Sequence, residues 1–157
     1  GLKDRNNVEI FGYNSRLDTI QAAVANYKMK NKLDNITSKR IKNATMLDNL
    51  LLKNKKITLV DRLKYLKEVF HLYHINVNSR DKLQKYLIKN NIDAKVHYPI
   101  PVHLQKAAKY LKYKKGDFPI AEKLANTSLS LPVHEFIQKK HIEHMVKTIE
   151  KFYQNHK

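Results

Sequence analysis

Two short segments carry side chains whose types and spacing could do chemistry. The first is Tyr13-Asn14-Ser15-Arg16, just before an amphipathic helical pattern. An amide, a guanidinium and the backbone N–H groups of a helix start together suit a phosphate. Asn14 fits the N-cap of that helix equally well, as do Ser15 and Asp18, so residue types alone leave both roles open. The second is His97-Tyr98-Pro99-Ile100-Pro101-Val102-His103. Two imidazoles and a phenol surround two prolines that restrain the backbone, so the rings can be held at small entropic cost. Such a loop suits a polar ligand, a sugar or a phosphate. The alternative is a structural loop whose rings bond to backbone.

Other chemistries find less support. The chain has no cysteine, which removes disulfides, thiolate metal sites and a cysteine nucleophile. Only 3 glycines occur, and neither a dinucleotide fingerprint nor a phosphate-binding loop is present. Ser128 and Ser130 sit in no Gly-x-Ser-x-Gly elbow. His71 and His74, three apart on a strand, point to opposite faces and make poor co-ligands for a metal. His141 and His144 share a helix face but lack a third ligand nearby. The formal net charge is +17, from 31 Lys plus Arg against 14 Asp plus Glu. A phosphate-bearing partner is compatible with that balance. The lysines are dispersed, however, among many Asn and Ile residues and form no basic block, which argues against nucleic acid. No apolar run is long enough to span a membrane, no signal-peptide pattern opens the chain, and the cytoplasm is the expected location.

These side chains need elements to position them. Leu17, Ile20, Val24 and Tyr27 recur at helical spacing, and the pattern resumes from Ile36 through Ala44, Leu47 and Leu51. The apolar phase slips near Asn31–Asp34, which predicts a bend. Val69–Val77 alternates as a strand, Ser79 is placed to cap a short helix with Leu83, Tyr86 and Leu87 inward, and Ile92–Tyr98 reads as a second strand. A short helix is expected over Leu104–Leu111. Another follows Gly116-Asp117, with Pro119 in its first turn and Ala121, Leu124 and Ala125 inside. Ser128–Leu131, stopped by Pro132, reads as an edge strand. Ile142, Met145, Val146, Ile149 and Phe152 mark one face of a final helix. The fold class is α+β, a long connecting helix followed by a small α/β domain.

Three blocks, in order, carry a resemblance. They are Gly1-Leu2-Lys3-Asp4-Arg5 with Phe11-Gly12-Tyr13-Asn14-Ser15-Arg16-Leu17-Asp18 and Gln21-Ala22-Ala23; Val69-Phe70-His71-Leu72-Tyr73 with Arg80-Asp81, Leu83 and the loop His97 to Gln105; and Gly116-Asp117-Phe118-Pro119-Ile120-Ala121-Glu122 with Leu129-Ser130-Leu131-Pro132-Val133-His134. Together they resemble the C-terminal part of the DegT/DnrJ/EryC/StrS sugar aminotransferases, over nearly the whole chain. The resemblance implies an aspartate-aminotransferase-type fold and a homodimer with active sites at the subunit interface. Residues 1–33 would be the end of the large domain and the start of the connecting helix, and residues 34–157 the small domain. It implies pyridoxal 5'-phosphate as cofactor, with Asn14 reaching the cofactor phosphate of the neighbouring subunit and Tyr13 and Arg16 beside it. His97 and Tyr98 would lie near a nucleotide-sugar substrate, with His103 a further candidate. Glutamate would supply the amino group, passed to a keto sugar for surface polysaccharide. The family's Schiff-base lysine lies upstream of the Gly-Tyr-Asn block. No matching segment occurs here, and Lys3, Lys28 and Lys95 do not take its place. The chain, which starts at Gly1 rather than Met, therefore reads as a fragment inactive by itself. The resemblance also extends to relatives that dehydrate instead of transaminating. The competing reading is a non-catalytic basic domain that binds nucleic acid or another polyanion, and a decayed gene remnant is a third.

Overall fold

The computed structural model describes residues 1–155. Helix α1 spans Thr19–Asn31 and α2 spans Leu33–Leu51, with the break at Lys32, where the apolar phase slips. Helix α1 buries none of its residues, and Leu17, Ile20, Val24 and Tyr27 are all exposed. In α2 the buried positions Ala44, Leu47 and Leu51 fall three to four apart, on one face.

After α2, the Asn54 side chain closes a turn by accepting from the Lys56 N–H, and the chain enters strand β1, Ile57–Leu59. Three residues are too few for an alternation to show in sequence, and the basic turn around Lys53–Lys56 conceals this strand. Strand β2 is confined to Tyr73–Val77 rather than Val69–Val77. The reason lies upstream: Phe70 adopts φ 51°, in the left-handed region, which ends any extended run. Its carbonyl accepts from Arg40 Nη1 at 3.1 Å. Helix α3 spans Arg80–Lys89; Ser79 occupies the N-cap position without a side-chain capping bond. Ile92–Tyr98 is not a strand. Asn91 has φ 61° and the Ala94 N–H turns back to the Ile92 carbonyl, so only Lys95 pairs, in an isolated bridge to Ser130.

The expected helix over Leu104–Leu111 is two 3-10 turns, Val102–Leu104 and Lys106–Leu111. Helix α4, Pro119–Thr127, has its proline at the first turn, where the missing N–H costs nothing. Of the three residues expected inside, only Ala125 is buried; Ala121 and Leu124 are exposed because they face a cavity rather than the core. Strand β3, Ser128–Leu131, lies at one edge of an antiparallel sheet of order β1-β2-β3. Helix α5, Lys139–Asn155, buries all five residues of its expected face.

The register divides the sheet by chemistry. Tyr73 pairs with Leu131 and Ile75 with Leu129, while His74 pairs with Ser130 and Asn76 with Ser128. Side chains alternate along a strand, so the apolar pairs share one face and the polar pairs the other. The apolar face joins Ala44, Leu47, Leu83, Leu87, Ile149 and Phe152 in the core beneath α2, α3 and α5. The polar face is left toward the cavity. Arg80 is 5 % exposed and ties this framework together. Its Nη1 donates to the carbonyls of Ala125 and Ser128 at 3.0 and 3.2 Å, where a cation meets the negative end of α4.

Candidate active-site surface

A cavity of ≈ 980 Å³ lies against the polar face of β2, between the N-terminal segment, the loop from His97 to Gln105, and α4. Its walls are largely apolar, with Val8, Phe11, Val60, Ile100, Val102 and Leu124 among them. Arg5, His74, Asn76, His97, His103 and Ser128 supply polar atoms.

The N-terminal segment is held there by one buried amide. Gln105, 7 % exposed, accepts the Val8 N–H at 2.9 Å and donates to the Asn6 carbonyl at 2.9 Å. The Ala107 N–H adds a bond to the Val8 carbonyl at 3.0 Å. Asp4 closes the turn beside Arg5 by accepting the N–H groups of Asn6 and Asn7, which hold its carboxyl below the usual carboxylate range. These clamps place Arg5 so that its Nη2 donates to His97 Nε2 at 3.0 Å. His97 Nδ1 lies 2.9 Å from Ser130 Oγ, which lies 3.0 Å from His74 Nδ1. Lys95 sets this geometry: its backbone exchanges two bonds with Ser130, so residue 97 follows at the edge of the sheet.

The site candidates fall into two groups. His97, Tyr98 and His103 all line the cavity. Tyr98 is 60 % exposed and packs edge-on against the His97 ring. His103 is pinned: its Nε2 lies 3.0 Å from Glu122 Oε1 and its ring packs on Phe118. Glu122 also accepts the Gly116 N–H, the main cause of its lowered carboxyl pKa, with the His103 bond adding to it. This pair fastens the loop to α4. Tyr13, Asn14 and Arg16 stand apart from the cavity, on a stretch where every residue from Ile10 to Ile20 is exposed. The cap of α1 is Asp18, whose carboxylate accepts the Gln21 N–H at 2.8 Å. That removes the capping role from Asn14. It also puts a carboxylate on the helix start and takes one of its backbone donors, the Gln21 N–H.

Sequence reasoning missed Arg5, His74, Ser130 and Gln105. In sequence, His74 reads as a strand residue and poor metal ligand, and Ser130 as an edge-strand serine outside any hydrolase elbow. The usable signal was the shared period of two in His74-Ile75-Asn76 and Ser128-Leu129-Ser130, which puts polar residues on one face of two adjacent strands. The two helical histidines have partners of their own. His141 Nδ1 accepts the Gln138 N–H, and His144 Nε2 lies 3.2 Å from the Asn90 carbonyl.

Burial pushes His74 and His97 below the ordinary imidazole value of 6.5, and Arg5, His74, Lys95 and His71 lower His97 further; at His74, Glu68 opposes the shift and Arg62 adds to it. The unfolded chain therefore binds more protons than the folded one as pH falls below 6.5. Stability is expected to be full above that value and to drop below it, until the folded pKa values are passed. Denaturant unfolding at pH 7 and at mildly acidic pH checks this. A His74→Gln, His97→Gln double variant should show a flatter dependence, and an unchanged slope would refute it.

Residues 1–150 match the model of the DegT/DnrJ/EryC1/StrS aminotransferase family. The chain belongs to this family. Among curated relatives, it is 37% identical over 161 residues to the "Pleiotropic regulatory protein" of Geobacillus stearothermophilus, covering 99% of this chain and 42% of that protein. It is 33% identical over 141 residues to the dTDP-3-amino-3,6-dideoxy-alpha-D-galactopyranose transaminase of Aneurinibacillus thermoaerophilus, covering 90% of this chain and 38% of that one. Among solved structures, S. venezuelae DesV in complex with a ketimine intermediate superimposes with a TM-score of 0.82 at 29% identity, over 96% of this chain and 40% of DesV. The chain thus spans about two fifths of the length of the relatives it matches. The DegT/DnrJ/EryC1/StrS aminotransferases depend on pyridoxal phosphate, and the α+β arrangement described above is theirs. Among the described residues, no helix is long and apolar enough to cross a membrane.

Proposed function

We propose that this chain is the C-terminal part of an aminotransferase that moves the amino group of glutamate onto a keto nucleotide sugar. The observation that carries the reading is the cavity beside His97, apolar along its walls and rich in hydrogen-bond donors at its Arg5 end. Apolar walls suit a base and a deoxygenated sugar ring; a guanidinium and a phenol suit diphosphate and hydroxyl oxygens. Several relatives carry names of transaminases acting on dTDP- or UDP-linked sugars, which supports the same substrate class.

In this reading the enzyme is a cytoplasmic homodimer that makes amino sugars for surface polysaccharide. Residues 1–33 close the large domain and open the connecting helix, and residues 34–157 form the small domain. Asn14 and Arg16, with Tyr13 beside them, hold the cofactor phosphate of the neighbouring subunit. Their chemistry fits: among the described residues no hydrogen bond engages the side chain of Asn14 or Arg16, and Tyr13 is fully exposed. Bound pyridoxal phosphate supplies the electrophilic carbonyl that carries the amine. His97 and Tyr98 orient the nucleotide sugar, and His103 keeps the cavity wall in place through Glu122. The Schiff-base lysine belongs to a segment outside these residues, so the chain alone transfers no amine.

The test is an assay of the full-length protein with pyridoxal phosphate, glutamate and a panel of dTDP- and UDP-linked keto sugars, read by mass spectrometry. Amino-sugar product is expected from at least one donor–acceptor pair. His97→Ala should lower kcat/KM for the sugar by about tenfold or more, because the Arg5 guanidinium loses the hydrogen bond that holds it at the cavity. Absence of product from every pair would overturn the reading.

A further inference from the structure

The contacts between Arg5, His97, Ser130 and His74 have only one consistent proton arrangement. A guanidinium donates and never accepts. Arg5 Nη2 at 3.0 Å therefore requires His97 Nε2 to be bare. A neutral imidazole carries its one proton on the other nitrogen, so His97 Nδ1 donates to Ser130 Oγ across 2.9 Å. Ser130 is 4 % exposed, and its hydroxyl proton must find an internal acceptor. Among the described residues, the acceptor in reach is His74 Nδ1, at 3.0 Å. His74 must then carry its own proton on Nε2, and the Ser128 hydroxyl, 3.4 Å from the same bare Nδ1, finds no proton there to accept. Burial favours the neutral form of both rings, which agrees with this order.

We infer that Ser130 is a positioning residue that passes the proton order Arg5 imposes on His97 to His74, fixing the His74 tautomer, and thereby makes the polar end of the cavity a surface of donors for an acceptor-rich ligand. Arg5 keeps the N–H groups that His97 does not use, and His74 keeps Nε2–H. Both residues line the cavity. Neither imidazole offers that space a bare nitrogen, because each bare nitrogen is already taken, by Arg5 and by Ser130. The surface therefore selects ligand oxygens with lone pairs, diphosphate or carbonyl, over ligand donors. The link from this surface to the nucleotide sugar rests on the function proposed above; the tautomer order does not.

Ring-nitrogen NMR of the 15N-histidine-labelled protein tests the order directly. At neutral pH, His97 should show the Nδ1–H form, which is the minority tautomer of free histidine, and His74 the Nε2–H form. Ser130→Ala removes the link between the rings and should return His74 to a mixture of tautomers, while His97, still held by Arg5, keeps Nδ1–H. Ser130→Thr keeps the hydroxyl and should preserve the order. In the full-length protein, Ser130→Ala should weaken binding of dTDP-glucose about threefold to tenfold, with recovery in Ser130→Thr. An Nε2–H form of His97 in the unaltered protein overturns the inference without any variant, as does an unchanged His74 tautomer in a folded Ser130→Ala protein. The expected tautomers without any dTDP-glucose binding would uphold the proton order while refuting the substrate reading. Binding with the wrong tautomers would do the reverse.

Discussion

Replacing Asp48 by alanine should cost about 2–4 kcal/mol of stability, among the larger effects for one polar side chain in this molecule. Asp48 sits on α2, and its Oδ1 accepts the Tyr73 hydroxyl at 2.7 Å. The same carboxylate takes two bonds from Arg62, Nε to Oδ2 and Nη2 to Oδ1, each at 3.2 Å. Arg62 Nη1 also bonds the carboxylate of Glu68, and the guanidinium lies 4.9 Å from the Phe70 ring centre and 5.4 Å from that of Tyr73. The pair is mostly shielded, with side-chain exposures of 27% for Arg62 and 19% for Asp48, so water replaces little of what is lost. Burial, with the Asp48 bond adding to it, pushes the Tyr73 hydroxyl far above its ordinary pKa. It stays protonated and needs an acceptor. Asp48→Ala would strand that buried hydroxyl and a half-buried cation together. A fall in Tm of roughly 6–12 °C is expected by calorimetry. Tyr73→Phe should cost only about 1 kcal/mol, because the hydroxyl leaves with its need for a partner. If Asp48→Ala and Tyr73→Phe cost the same small amount, the carboxylate is not the hub of this network.

That network also explains which parts of the fold were legible in sequence. Helices α2, α3 and α5 put apolar residues on one face at helical spacing, and burial follows that spacing. The stretch between β1 and β2 has no period. Its course depends on Arg62 reaching α2 and on Phe70 taking a left-handed conformation. Such long-range side-chain contacts leave no local pattern, so Val69–Val77 looks like one uninterrupted strand. Ile92–Tyr98 misleads for the opposite reason: its alternation is genuine, but a single bridge to Ser130 is all the sheet edge offers it.

The candidate site was legible where prolines confine it. The loop from His97 to His103 is visible because its rings flank two prolines, and all three of its candidates line the cavity. The partners that give those rings direction were not visible. Arg5 is 92 residues from His97, and Ser130 is 33 residues away. Only the sheet register and the Gln105 clamp bring them together.

The exposed arm before α1 leads to the second large effect. In the full-length protein, Asn14→Ala should weaken pyridoxal-phosphate binding on the order of tenfold to a hundredfold, the range for a hydrogen bond to a charged group. Asp18 already caps α1, so the amide of Asn14 has no duty within its own helix. Its neighbours Tyr13 and Arg16 are likewise exposed, and a side chain that supports no packing can be altered without unfolding the chain. Thermal stability should therefore stay unchanged, which separates a lost contact from a damaged fold. Asn14→Asp is the sharper variant. It keeps the size of the side chain but replaces two N–H donors by a negative charge beside Asp18, so it should bind the cofactor more weakly than the alanine variant. Absorbance titration of the cofactor into the three proteins measures the series. Equal affinity across all three would remove Asn14 from the phosphate site. Weakening in Asn14→Ala with recovery in Asn14→Asp would mean that the position needs bulk rather than a donor, and the assignment of this arm to the cofactor phosphate would fall.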